Sequence, residues 1–175
     1  MKKGVIIQAS SRSNGDTSLV VRYIQKQTNF DVIDLLNYTI GHFDYEFKNK
    51  DDDFNALFKK LVSNYDTLVI ATPIYWYTMS GLCKVFLDRM SDFLFQEKDF
   101  GRMLRGKQLA VISSSNGNKV FKEFDMPFRE SANYLGMNYL GHTHTWLENK
   151  TINNNVKETI QKFLETTNCL LNTEH

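Results

Sequence analysis

Residues 65–90 read Tyr65-Asp66-Thr67-Leu68-Val69-Ile70-Ala71-Thr72-Pro73-Ile74-Tyr75-Trp76-Tyr77-Thr78-Met79-Ser80-Gly81-Leu82-Cys83-Lys84-Val85-Phe86-Leu87-Asp88-Arg89-Met90. The run Leu68 to Ala71 has no polar alternation, so both faces of this strand should be buried, as in the middle of a parallel sheet. Pro73 cannot donate to a ladder and holds Thr72 extended, which predicts that the strand stops there. Gly81 opens a segment whose apolar residues Leu82, Val85, Phe86 and Met90 recur at helical spacing. Between strand and helix, at the strand's carboxyl end, stand three large rings: Tyr75, Trp76 and Tyr77.

Upstream, Val5-Ile6-Ile7 is a first buried strand, and a polar stretch from Ser10 to Ser18 follows it. A helix should begin near Thr17 with Val20, Tyr23, Ile24 and Gln27 along one stripe. Phe30 to Leu35 alternates, which suits a strand nearer an edge. Asp51-Asp52-Asp53 reads as the capped start of a helix carrying Phe54, Leu57, Phe58 and Leu61. A metal reading is the weaker one, because adjacent carboxylates on one turn splay apart.

Downstream, Ser91 to Gly106 is a long connection. Leu109 to Ile112 is the third buried run, with Ser113-Ser114-Ser115-Asn116-Gly117 at its carboxyl end. Phe121, Phe124, Phe128, Ala132 and Leu135 fall on one helical face, with Pro127 bending or interrupting the helix early and Gly136 stopping it. Met137 to Thr145 is a last strand, polar enough for an edge; His142 and His144 alternate along it as edge residues. Val156, Ile160, Phe163 and Leu164 make a terminal helix. Strand and helix thus alternate five times. The expected architecture is a single α/β domain over residues 1–175, a three-layer flavodoxin-like sandwich whose five-stranded parallel sheet has the order 2-1-3-4-5. A ligand belongs outside the carboxyl ends of the central strands, where strand order reverses.

Composition narrows the function. The chain has 175 residues and a formal net charge of +1, with no basic stripe, so no nucleic-acid surface is expected. Val5-Ile6-Ile7 is too short for a secretory core or a membrane span. Cys83 and Cys169 form neither a metal pattern nor a disulfide framework, which makes a reducing cytoplasm the expected compartment. Cys83 lies on an apolar helical stretch and reads as core.

Three loops open on one rim. The first offers hydroxyls from Ser10, Ser11, Ser13, Thr17 and Ser18, the cation Arg12, and backbone amides at a helix start, which together make an anion site. Gly15 lets the backbone turn tightly. Neither a P-loop nor G-x-G-x-x-G is present, so a monophosphate fits better than a triphosphate or a dinucleotide. The rings at Tyr75 to Tyr77 suit a planar heteroaromatic ligand, and the small residues Ser114, Ser115, Asn116 and Gly117 let backbone approach its edge.

These segments resemble a known family. Ala9-Ser10-Ser11-Arg12-Ser13-Asn14-Gly15-Asp16-Thr17 is similar to the phosphate loop of flavodoxin-like NAD(P)H-dependent FMN reductases, and Thr72 to Arg89 is similar to their second flavin loop and following helix. Gly106-Lys107 fits as well. The resemblance implies that residues like Ser10, Arg12, Asn14, Thr17 and Ser18 hold the FMN phosphate. It implies that Pro73, Ile74, Tyr75 and Trp76 line the isoalloxazine and that Ser114 to Gly117 complete the ring pocket; Ser11, Asp16 and Tyr77 join the candidate set. It also implies a homodimer. The family usually has Asn where this chain has Asp16. A carboxylate aimed at a phosphate would repel it, so Asp16 is expected to turn away and cap the first helix.

With FMN bound, the demanding chemistry is the flavin's, so no catalytic side chain and no metal is expected. The leading reading is an oxidoreductase carrying electrons from NAD(P)H to a small-molecule acceptor: a flavin, a quinone, or an azo or nitro aromatic. The alternatives are a flavodoxin-type carrier, typically far more acidic than this chain, and a non-redox module binding another phosphorylated ligand. Dimerisation is expected through residues 81–95, rich in Phe, Leu and Met.

Overall fold

The computed structural model describes residues 3–167; Cys169 lies outside them. Parallel strands β1 (Gly4–Gln8), β2 (Asp31–Asp34), β3 (Thr67–Tyr75), β5 (Gln108–Ser115) and β6 (Asn138–Trp146) lie in the order β2-β1-β3-β5-β6. A two-residue strand, β4 (Thr78–Met79), folds back antiparallel on the end of β3. With β4 set aside, this is the expected 2-1-3-4-5 order of the flavodoxin-like class.

Pleating sorts the buried runs onto two faces. Val5, Ile7, Leu68, Ile70, Leu109 and Val111 pack with helices α2 (Asp53–Asn64), α3 (Gly81–Arg89) and α6 (Met126–Leu135). Ile6, Val69, Ala71, Ala110 and Ile112 pack with α1 (Asp16–Thr28) and α7 (Asn154–Thr166). Both faces are covered, so the central strands carry no polar alternation.

The strand does not stop at Pro73; β3 runs on to Tyr75. Ala9 N–H donates to the Ala71 carbonyl at 2.8 Å, so by strand alternation the Pro73 nitrogen faces the Ala9 carbonyl, the acceptor a ladder would have offered it. That carbonyl accepts from the Ser80 hydroxyl at 2.6 Å instead. The missing donor is therefore replaced. The same Ser80 Oγ caps α3 by accepting from Cys83 N–H at 3.1 Å, and Ser80 N–H donates to Thr72 Oγ1.

Other elements also differ from expectation. Pro127 does not interrupt a helix begun at Phe121; it lies in the first turn of α6, where its missing N–H costs nothing. The connection from Ser91 to Gly106 contains two short helices, α4 (Asp92–Phe95) and α5 (Lys98–Arg102). Asp52 is the N-cap of α2, its Oδ1 accepting from Phe54 N–H at 2.9 Å. Its carboxylate also meets Arg89, a buried guanidinium that binds Asp92 and the carbonyls of Gly41 and Asn49.

On β6 the register slips between Leu109/Ala110, with Tyr139 opposite Leu109 but Gly141 opposite Ala110. Gly141, at φ +115°, takes the backbone through this bulge. Among the described residues no helix is long and apolar enough to cross a membrane.

Candidate functional site

Beyond the carboxyl ends of β1, β3 and β5 the three loops enclose one cleft of about 780 Å³. Its walls are Ser10, Arg12, Gly15, Asp16 and Thr17 from the first loop, Pro73, Ile74, Tyr75 and Tyr77 from the second, and Ser114 to Lys119 from the third. Two hydroxyl pairs join the loops: Thr17 Oγ1 to Ser114 Oγ at 2.6 Å, and Ser11 Oγ to the Tyr75 hydroxyl at 2.8 Å.

The first loop turns unpaired amides and a cation toward the cleft. Ser18 and Leu19 N–H bond the Gly15 carbonyl, while the amides of Asp16 and Thr17, ahead of the first helical bonds, have no partner among the described residues. The helix dipole places positive charge there. The Arg12 side chain is exposed, with no ion pair or hydrogen bond among the described residues. Gly15 does not provide a special backbone conformation, since its φ is an ordinary −84°. Arg12 instead lies close over it, its Nε 3.4 Å from where a Cβ would stand.

Asp16 does not cap α1. The N-cap is Gly15, with no side-chain cap, and Asp16 is the first helical residue. There its charge is favoured by the helix dipole, and it stays half-buried on the cleft wall without a hydrogen bond or ion pair among the described residues. The buried Ser18 hydroxyl turns inward to the Gly15 carbonyl at 2.7 Å. Ser11 and Asn14 are exposed and lie outside the cleft wall.

In the second loop, Trp76 (φ +48°) and Tyr77 (φ +68°) form the two-residue turn between β3 and β4. Both central residues at positive φ match a hairpin turn that ordinarily takes Asn-Gly, and bulky rings there hold roughly 1–3 kcal/mol of strain each. Trp76 stands 92% exposed and off the cleft wall. Tyr77 borders the cleft and meets Phe121 edge-on at 5.2 Å. Cys83 is fully buried, and burial pushes its thiol up to about 12, so it is a core residue.

Sequence reasoning missed Asn118 and Lys119, which carry the third wall two residues past Gly117. With Arg12 and Lys119 against Asp16, the cleft carries an excess of cation. Free amides and Arg12 stand at one end of the cleft, Tyr75 and Tyr77 in the middle and a serine-rich edge opposite. The model of the NADPH-dependent FMN reductases matches residues 2–151. The chain belongs to the NADPH-dependent FMN reductase family. FMN is its cofactor and NAD(P)H its co-substrate, which makes it an oxidoreductase with turnover of its own and not a passive carrier.

This reductase is 28% identical over 150 residues to the Bacillus subtilis (strain 168) protein YwqN, whose name is that of an NAD(P)H-dependent FMN-containing oxidoreductase; the match covers 80% of this chain and 82% of YwqN. Among solved structures it resembles the Trp repressor binding protein of Bacillus subtilis (TM-score 0.70, 22% identity, 98% of this chain and 100% of that one). It also resembles general stress protein 14 of Treponema denticola, solved in complex with FMN (TM-score 0.65, 21% identity, 97% and 99% covered). These two likenesses concern the fold.

Proposed function

We propose that the cleft holds FMN with its phosphate on the amides of Asp16 and Thr17, within reach of Ser10 and Arg12, and its ring between the Pro73–Tyr77 loop and the Ser114–Gly117 edge. The carrying observation is the meeting of all three loops at one opening, joined by the Thr17–Ser114 and Ser11–Tyr75 hydroxyl pairs. Bound there, FMN supplies hydride acceptance from a nicotinamide and electron delivery to a second substrate. The protein's own part is to neutralise the phosphate with Arg12 and the α1 dipole and to orient the ring with Tyr75, Tyr77 and the small third-loop residues.

A mainly apolar annex of about 560 Å³, bordered by Ile74, Tyr77, Val120, Phe121 and Phe124 with Asn118 and Lys119 on the edge it shares with the cleft, continues from the same opening. It favours a planar aromatic acceptor such as a quinone, flavin, azo or nitro compound. A groove of about 510 Å³ between α3 and α6, lined by Met79, Leu87, Met90, Leu94, Pro127 and Tyr134, favours a homodimer; a monomeric mass in light scattering contradicts that. The buried thiol at Cys83 is in keeping with a reducing cytoplasm. The site is tested by titrating flavin-free protein with FMN and with riboflavin. FMN should bind at least about tenfold more tightly, and Arg12→Ala should narrow the gap. Equal affinity for both flavins removes the phosphate cradle from the account.

A further inference from the structure

Behind the Ser115–Gly117 wall, hydrogen bonds run in series through two imidazoles. Ser113, fully buried on β5, has its Oγ 2.7 Å from His142 Nε2 and 2.8 Å from His144 Nδ1. His144 Nε2 lies 2.9 Å from the Gly117 carbonyl oxygen and 3.3 Å from Ser115 Oγ. A carbonyl only accepts, so His144 Nε2 carries hydrogen and the neutral ring's Nδ1 accepts from the Ser113 hydroxyl. That hydroxyl in turn accepts from His142 Nε2–H. The bulge at Leu140 and Gly141 makes this possible. A regular pleat would point His142 and His144 at the face of Ala110 and Ile112, whereas the slipped register pairs them with Val111 and Ser113.

We propose that His144 is a positioning residue for the cleft: it clamps the Gly117 carbonyl and so fixes the third wall, while Ser113 and His142 set its tautomer. The consequence for the cofactor rests on reading that wall as the edge of the flavin site.

The chain of bonds accommodates a single added proton at His142 Nδ1 without change, His142 Nε2–H still donating to Ser113 and Ser113 to His144 Nδ1. A second proton, on His144 Nδ1, would take from the buried Ser113 O–H its only acceptor among the described residues. Burial lowers both imidazoles, His142 to about 4. Of the groups facing them, Asp125 raises His142 but is already bonded to Arg129 and Tyr139. Phe124 against His142, Trp146 against His144, and the β5 serines are uncharged. The rings are therefore neutral and the clamp closed at neutral pH; a proton added at His144 Nδ1 would disturb Ser113 and leave the Nε2–H bond to the Gly117 carbonyl in place.

The test uses His144→Leu, which removes the imidazole's bonds to Ser113, Ser115 and Gly117, and His144→Gln, which retains an N–H near the place of Nε2. Flavin-free protein is read by proton–nitrogen correlation of the imidazoles, and FMN affinity by quenching of flavin fluorescence at neutral pH. At neutral pH both rings should be neutral Nε2–H tautomers; an Nδ1–H tautomer at His144 overturns the proposal. His144→Leu should weaken FMN binding about tenfold and His144→Gln no more than about threefold, the scale of one hydrogen bond. Unchanged affinity in His144→Leu, or equal losses in the two variants, overturns the clamp. Should His144→Leu not fold, Ser113→Ala replaces it; an unshifted tautomer with unchanged affinity is then the overturning result. If the wild type shows the stated tautomers but takes up no FMN, the flavin reading falls and the clamp stands.

Discussion

Arg89 is the side chain whose loss the structure penalises most. It is 1% exposed, its Nη1 lies 2.6 Å from Asp52 Oδ2 and its Nε 2.8 Å from Asp92 Oδ2, and it stacks over Phe54 at 4.9 Å. Its remaining donors hold the Gly41 and Asn49 carbonyls, docking the irregular segment between β2 and α2 onto α3. Arg89→Met keeps an apolar stem over Phe54 but leaves two carboxylates inside, and Asp92 Oδ1 already lacks a partner among the described residues. Removing one side of such a buried cluster costs about 3–5 kcal/mol, a large share of the roughly 5–15 kcal/mol that holds a domain folded. In urea denaturation that is a midpoint lowered by about 2 M for an m-value near 2 kcal/mol/M.

Acid should narrow the difference. Burial alone would raise the Asp52 carboxyl, but the Arg89 guanidinium with the Gly41 and Phe54 amides outweighs it and holds the group below the usual 3.8. A depressed folded value means stability that is present above 3.8 and lost as pH falls through the lower one. In Arg89→Met burial prevails, Asp52 rises, and protonation relieves the variant while it weakens the wild type. Adding Asp52→Asn to Arg89→Met should restore part of the loss. A cost below about 1 kcal/mol, or a difference that does not narrow in acid, refutes the reasoning.

Asp16→Asn removes a negative charge from beside the free α1 amides and should tighten FMN by about 1 kcal/mol, roughly fivefold, at low salt; fluorescence titration showing equal or weaker binding refutes this. Ser80→Ala removes the α3 cap and orphans the buried Ala9 carbonyl, which should cost about 2–4 kcal/mol in thermal or urea unfolding. A loss under about 1 kcal/mol would mean that water or a shifted strand replaces the hydroxyl. Cys83, its thiol pushed up to about 12 within the core, should resist alkylation in the native protein at mildly alkaline pH and react once unfolded. Peptide mapping that finds Cys83 modified in the folded state contradicts its burial.

The sheet was legible because both of its faces are covered: the unalternating runs Val5–Ile7, Leu68–Ala71 and Leu109–Ile112 could only be central. The rim was legible because strand order fixes where the loops after β1, β3 and β5 must open. What escaped depends on contacts remote in sequence. Pro73 marked a strand end only until Ser80 supplied a substitute donor to Ala9. Asp52 read locally as a helix cap, and nothing local announced its second partner Arg89, 37 residues away. Asp16 followed the helix dipole in place of the expected cap. The Leu140–Gly141 bulge is invisible to a period-of-two pattern, so His142 and His144 read as plain edge residues although the slipped register turns them onto Ser113. The Trp76–Tyr77 turn lacked Asn-Gly chemistry, which hid the hairpin that sends Trp76 outward.

The most direct test is the absorption spectrum of protein incubated with FMN and freed of excess, taken anaerobically before and after NADH or NADPH is added. The structure predicts a yellow protein retaining equimolar FMN whose long-wavelength flavin band fades when the nicotinamide is mixed in and returns with an electron acceptor. A protein that emerges colourless, or one whose bound flavin keeps its band through the addition of both nicotinamides, contradicts it.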